Sequence, residues 1–223
     1  MKTKILLVLL LFTGMNAFSQ NQGVTTVGIK AGVLSSGVRG EAANSLNQLI
    51  DQTNGILKTT DRTGFFAGVN VNVPVSKNLS IEPGAYYSQK GYDLTGDFGI
   101  KDLGLLGVNA KADLLNQYID LPLLLKGNFG GFEVFAGPQI SYLAKSDLKT
   151  TAGILGINLL NKDIDASGQF NRWDAGLTGG IGYQFSNGFN ISASYDYGLS
   201  KMDANKSVNA YNRAVRLGIA FQF

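Results

Sequence analysis

Cysteine and histidine are both absent from the chain. Without cysteine there is no disulfide, no thiolate nucleophile and no thiolate metal site. Without histidine the commonest general base and metal ligand is missing. A Ser or Thr nucleophile thereby loses its usual partner. The sequence also has no G-x-S-x-G turn, no metal-ligand cluster and no phosphate-cradling loop. Charge is sparse, with Asp, Glu, Lys and Arg making up 16% of residues. The formal net charge is +3, but Lys2 and Lys4 belong to the N-terminal leader-like segment. Without them 17 basic residues face 16 acidic ones, so nothing in the charge points to nucleic acid. Beyond the N-terminus no stretch has the long uncharged run of a membrane helix.

That N-terminus reads "MKTKILLVLLLFTGMNAFSQ". A basic start, a short apolar run over Ile5–Phe12 and the small residues Ala17 and Ser19 form the pattern of a cleaved secretory signal. The run is shorter than the ~20 residues of a spanning helix, the membrane-anchor alternative. Residues 1–19 are therefore expected to be a signal peptide and 20–223 a single mature domain, beginning at Gln20.

Glycine is abundant, at 29 of 223 residues, and lies within apolar/polar alternations as well as between them. Eight alternating runs read as strands, at 25–34, 64–73, 79–92, 117–128, 132–145, 172–185, 189–200 and 210–223. Short turn-like connections, at 74–78, 129–131 and 186–188, alternate with long ones, at 35–63, 93–116, 146–171 and 201–209. That rhythm predicts an all-β fold: an eight-stranded antiparallel up-and-down transmembrane β-barrel. With an even strand count both termini fall on the short-turn side, expected to be periplasmic.

A soluble lipocalin-like barrel also has eight strands, but its apolar face lines the cavity and its polar face meets water. Here the polar face is mostly small: Gly68, Asn70, Asn72, Ser80, Gly84, Gly137, Gln139, Ser141, Gly176, Thr178, Gly180, Gly182, Ser192 and Ser194. Such residues suit a narrow interior. The other face carries Val69, Val71, Val73, Leu121, Leu123, Leu125, Leu177, Ile181, Leu217 and Ile219. Phe132, Tyr183, Phe185, Phe189, Phe221 and Phe223 lie near the short turns. Phe65, Tyr87, Tyr142, Trp173, Tyr195, Tyr197 and Tyr211 lie near the long loops. The two sets predict aromatic girdles around a lipid-facing band. Arg213, on the apolar face, falls at the outer headgroup level. The ending "RAVRLGIAFQF" predicts a last strand that pairs with the first and leaves no open edge in lipid.

Nine charges are expected to point inward: Lys30, Glu82, Lys90, Asp120, Lys126, Glu133, Asp174, Asp196 and Arg216. Lys126 and Glu133 are expected directly opposite each other across the 129–131 turn. The cluster reads either as an ion path or as a salt-bridged plug filling the lumen. Asp93, Asp97, Asp102 and Asp113 crowd the second long loop and are the only candidates for a water-activating carboxylate pair. No catalytic, cofactor or metal site is expected, and no cofactor. The loops "GIKDLGLLGVNAKADLLN" (99–116) and "TTAGILGINLLNKDIDAS" (150–167) share a Gly-apolar-Leu-Gly-apolar-Asn core, and "SLNQLIDQTNGIL" (45–57) has helix-like spacing. Leu103, Leu105, Leu106, Val108, Ile154, Leu155, Ile157 and Leu159 are apolar where water is expected, and such residues call for a partner. The loops pack together as a lid, form a binding surface, or extend the barrel as hairpins beyond the membrane.

The segments "EPGAYYSQKGY", "QYIDLPLLLKGNF", "FEVFAGPQISYL", "GGIGYQF", "SYDYGLSKM" and "RLGIAFQF", in that order, resemble the PorT-like outer-membrane β-barrel family of Bacteroidetes-type bacteria. The "AFSQ" site fits the same group. The resemblance covers most of the mature chain, though not the loops. It implies an outer-membrane location, contact with outer-membrane lipid, and links to secretion or surface-protein components. Terminal Phe221 and Phe223 resemble the signal that outer-membrane barrels show their assembly machinery. No catalytic residue carries over. The expected role is non-catalytic binding, scaffolding or accessory service in envelope transport, with a small porin-like channel and an outer-membrane hydrolase as alternatives.

Overall fold

The computed structural model describes residues 23–41, 48, 57–99, 107–154, 157–205 and 209–223. Among them are nine strands: β1 (Thr26–Arg39), β2 (Leu57–Pro74), β3 (Leu79–Gly99), β4 (Gly107–Phe129), β5 (Phe132–Ile154), β6 (Ile157–Asp165), β7 (Trp173–Gln184), β8 (Phe189–Gly198) and β9 (Tyr211–Gln222). All pairings are antiparallel, and eight strands close a barrel from which β6 is excluded. Closure is made by the last strand. Ala31 pairs with Ile219, Val33 with Leu217, and the Phe223 N–H donates to the Val27 carbonyl at 2.9 Å.

Alternation settles the facing. Val27, Ile29, Val33, Val69, Leu121, Leu123, Leu125, Leu177, Ile181, Leu217 and Ile219 are exposed, whereas Asn70, Ser80, Gln139, Ser141, Thr178 and Asn190 are buried. A soluble barrel would show the reverse. The exposed band is bounded by aromatic pairs. Tyr183–Phe185, Phe189–Phe221 and Phe221–Phe223 stack at 4.9–5.1 Å on the short-turn side. Tyr142–Trp173 and Phe65–Tyr87 do so at 5.0 and 5.8 Å on the other. In β5, β7 and β9 the girdle positions are Phe132 and Tyr142, Trp173 and Tyr183, and Tyr211 and Phe221. Ten steps of ~3.3 Å, tilted by about 40°, give a band about 25 Å tall, the height of an outer-membrane barrel.

Strands β2–β5 run well past the outer girdle, while β7, β8, β9 and β1 stop near it. The hairpin β3–β4 stays paired to Gly99↔Gly107, and β5–β6 to Ile154↔Ile157. The two hairpins join edge to edge through β4–β5, where Val108 pairs with Ile154. The connections 93–116 and 146–171 are thus mostly strand among the described residues, which is the hairpin-extension alternative; they form one sheet rather than a lid. The boundaries expected at 92, 117 and 145 mark the ends of the lipid-patterned part of each strand. Irregularities sit at this level, between Gln117 and Tyr118 in β4 and between Asp61 and Phe66 in β2. Opposite the first, Ala144 is an extra residue in β5. It moves the inward phase from Leu143 to Ser146, both fully buried, and such a bulge bends and twists the sheet.

A compact cluster ties the β6–β7 connection to the one between β8 and β9. A 3-10 turn, Ser167–Gln169, joins β6 to β7. The Asn171 N–H donates to the Met202 carbonyl, the Ala204 N–H to the Gln169 carbonyl, and Phe170 bridges to Asp203. Ala166, Ser167 and Met202 are buried within it.

Candidate functional site

All nine sequence-predicted charges point into the barrel, in two layers. The outer layer centres on Asp120, which is fully buried. Strand β4 carries it inward in phase with Tyr118 and Leu124. Lys90 of β3 reaches one carboxylate oxygen at 2.9 Å, and Arg216 of β9 bonds to the other. Ser88 and Ser141 donate to the same carboxylate at 2.6 and 2.5 Å. Arg216 also clamps Asp196 of β8 at 2.7 Å, and Thr178 donates to Asp196 at 2.7 Å. Six strands thereby meet at two carboxylates and two cations. Each buried charge has its counter-charge and hydrogen bonds, the condition for tolerating ions out of water.

The inner layer holds Lys126 between Glu82 and Glu133, with the Glu133 contact at 3.5 Å. Asn190 donates to Glu133 at 2.7 Å and Asn128 at 3.3 Å. Lys126 and Glu133 are not directly opposite, as the sequence reading had them. Lys126 faces Phe135, and Glu133 faces Asn128. The turn is two residues, Gly130 and Gly131, with φ +65° and +94°. That left-handed pair shifts the register, and the ion pair runs diagonally. Lys30 lies over the Phe135 ring at 5.4 Å. Asp174 sits at the outer end, where it accepts from Asn212 at 2.7 Å.

Packed around these charges is an apolar filling that a small-residue reading of the lumen misses. Phe66, Tyr86, Tyr118, Leu124 and Phe135 are buried inside the barrel. Arg216 lies over Phe66 and Lys90 over Tyr118, each at 5.0 Å from the ring centre. Their strand parity was the available signal: Phe66 shares the phase of Gly68 and Asn70, and Tyr118 that of Asp120. The lumen glycines make room for them. A Cβ on Gly84 would lie 2.5 Å from the Tyr86 ring, and one on Gly180 would meet the Ala193 carbonyl oxygen at 2.2 Å as well as Phe135 at 2.8 Å. Two interior cavities among the described residues measure about 10 and 30 Å³.

Outside the membrane, Asp93 and Asp113 face each other across β3–β4. Each has its own cation: Arg62 for Asp93 at 2.9 Å, Lys111 for Asp113 at 2.8 Å. Asp97 is on β3, and Asp102 lies outside the described residues. Arg213, expected at the outer headgroup level, pairs with Asp61 at 2.8 Å. Arg39 is sandwiched between Tyr197 and Tyr211, 3.6 and 4.8 Å from their ring centres. The Ser167 hydroxyl and backbone N–H hold the Asp165 carboxyl below its ordinary value. Of the proposed loop residues, Val108, Ile154, Ile157 and Leu159 are on β4, β5 and β6. Leu103, Leu105, Leu106 and Leu155 lie outside the described residues, as does most of 45–57. Phe221 and Phe223 stack on each other in the short-turn girdle.

Residues 18–204 match the outer membrane protein beta-barrel domain family. The chain belongs to that family. As a member of the outer membrane protein beta-barrel domain family it is a bacterial outer-membrane protein. No curated protein sequence matches it. Among solved structures it is similar to Neisserial surface protein A, at 9% identity over 90% of this chain and 100% of that one, with a TM-score of 0.45. It is also similar to Ail, the attachment invasion locus protein of Yersinia pestis, at 16% identity over 91% and 100%, TM-score 0.41. A third is the outer membrane protease OmpT from Escherichia coli, at 11% identity over 89% and 96%, TM-score 0.44. At such distances no activity carries across.

Proposed function

We propose that this protein is a non-catalytic outer-membrane barrel whose lumen is a structural plug and whose outer sheet is the working surface. Its role is binding or scaffolding, in accessory service to envelope transport or secretion, within a PorT-like branch of the family. The observation that carries this reading is the filling of the lumen. Two ion-paired layers and four buried aromatics occupy it among the described residues, and the two cavities beside them measure about 10 and 30 Å³. A pore would need a continuous water path between the layers. A hydrolase would need a carboxylate with a free lone pair beside water at an open rim. Asp93 and Asp113 are instead each tied to a cation.

The same reading assigns residues 1–19 as a removed signal and puts both termini in the periplasm. The tight turns lie on the terminal side, and the long β2–β6 sheet stands on the opposite one. Phe221 and Phe223 serve as the assembly signal. Single-channel recording of the refolded protein in a planar bilayer tests the proposal. Electrical silence is expected; steady conductance would replace the plug with a channel.

A further inference from the structure

Five strands leave the barrel as one sheet in the order β2–β3–β4–β5–β6. Among the described residues β6 pairs with β5 alone, and the outer segment Leu57–Asp61 of β2 pairs with β3 alone. Among the described residues the sheet therefore has two free edges outside the membrane, and β6, with nine residues, is the longer. One bond shows which backbone groups its edge presents. The Ala166 N–H donates to the Ser146 carbonyl at 2.9 Å, and the register continues as Leu148↔Ile164 and Thr150↔Lys162. Bonded and non-bonded pairs alternate in an antiparallel ladder. Ile164 and Lys162 thus bond to β5, and the N–H and C=O groups of Asp163 and Asn161 point to the open side.

Proteins guard such edges with charge, proline or a covering element. Here the guard is partial. Lys162, Asp163 and Asp165 stand at the membrane-proximal end, while Ile157–Asn161 has neither charge nor proline. Strand direction narrows the occupant. β5 runs outward from the Gly130–Gly131 turn, so β6 runs back toward the membrane, as does the free segment of β2. A second copy in the same membrane offers only edges of that direction. It would have to pair in parallel, the weaker ladder. An extended segment arriving from outside is free to run antiparallel.

We propose that the β6 edge receives an extended polypeptide segment by antiparallel strand addition. The segment carries a basic residue opposite Asp163 and Asp165, followed by an uncharged β-prone stretch opposite Ile157–Asn161. This rests on the reading of the outer sheet as the working surface and names its partner class.

The test uses the refolded full-length protein in lipid vesicles and a fluorescent peptide of two lysines followed by alternating threonine and valine. Saturable binding is expected, weakened at least about tenfold when the peptide is N-methylated along its pairing edge, because those hydrogen bonds cannot form. Asn161→Pro, which removes an edge-facing N–H and no bond to β5, should abolish binding and leave heat-shifted gel migration intact. If that variant does not fold, the N-methylated peptide on the unaltered protein decides alone. Equal binding of the methylated peptide, or none of either, overturns the proposal. Vesicle clustering or detergent-stable dimers without peptide binding overturn it in favour of a second copy. None of these failures touches the plug, which conductance tests separately.

Discussion

Strand β5 contains both halves of the molecule. From Phe132 to Leu143 every second side chain meets lipid and every other one meets the lumen. From Lys145 to Ile154 the same strand leaves the bilayer with its phase shifted by Ala144, and Lys145 faces Asp147 rather than lipid. In the first half a solvent on each side imposes the pattern. In the second, the backbone ladder to β4 and β6 holds the strand, and side chains are free to vary. The barrel therefore concentrates its cost of change in the membrane, and the outer sheet can change cheaply.

Substitutions separate the two halves by size of effect. The largest should come from Asp120→Ala, which leaves Lys90 and Arg216 facing each other without their shared carboxylate. A loss of about 3–5 kcal/mol is expected for breaking a buried ion cluster, read as a shifted urea midpoint for unfolding from lipid vesicles. Leu123→Arg, on the lipid face where Leu123 is 51% exposed, should cost about 2–4 kcal/mol at the midplane. Wild-type stability in that variant would mean the barrel is inside out.

Gly84→Ala comes next. Its new Cβ would stand 2.5 Å from Tyr86, and an overpacked interior costs about 1–3 kcal/mol. The cost should shrink when Tyr86→Leu is added; an additive double variant would show that the ring is not the obstacle. Lys145→Ala, outside the membrane, should be smallest. Its pair with Asp147 at 2.8 Å involves a side chain that is 54% exposed, so water and salt screen it. A large effect there would show that the outer sheet is as tightly specified as the barrel.

The legibility of the sequence divides along the same line. Closure by β9, the facing of Leu123 and Leu217, and the girdle positions follow from a period of two with different solvents on its two sides. The nine inward charges follow from the same parity. Parity also placed Phe66, Tyr86, Tyr118 and Phe135 inside, but a small-residue picture of the lumen hid them. Only coordinates show that Gly84 is small because the Tyr86 ring lies beside it. The hairpins beyond Tyr92 and Lys145 were not legible as strand. A single inserted residue such as Ala144 flips the phase, and beyond the girdle no lipid restores it. The Lys126–Glu133 pair runs diagonally at 3.5 Å rather than directly opposite for a related reason. Two adjacent left-handed glycines define a two-residue turn that counting residues cannot distinguish from a three-residue one.

The central claim is that the lumen is blocked within the membrane by its own paired charges and aromatics, not by anything above it. Bilayer conductance of a barrel from which residues 96–110 and 149–162 have been removed tests this most directly. The truncated barrel should insert, show heat-shifted migration and stay electrically silent. Steady current through it, with silence from the full-length protein, would show that the outer sheet is the gate and that the ion-paired layers leave water a path.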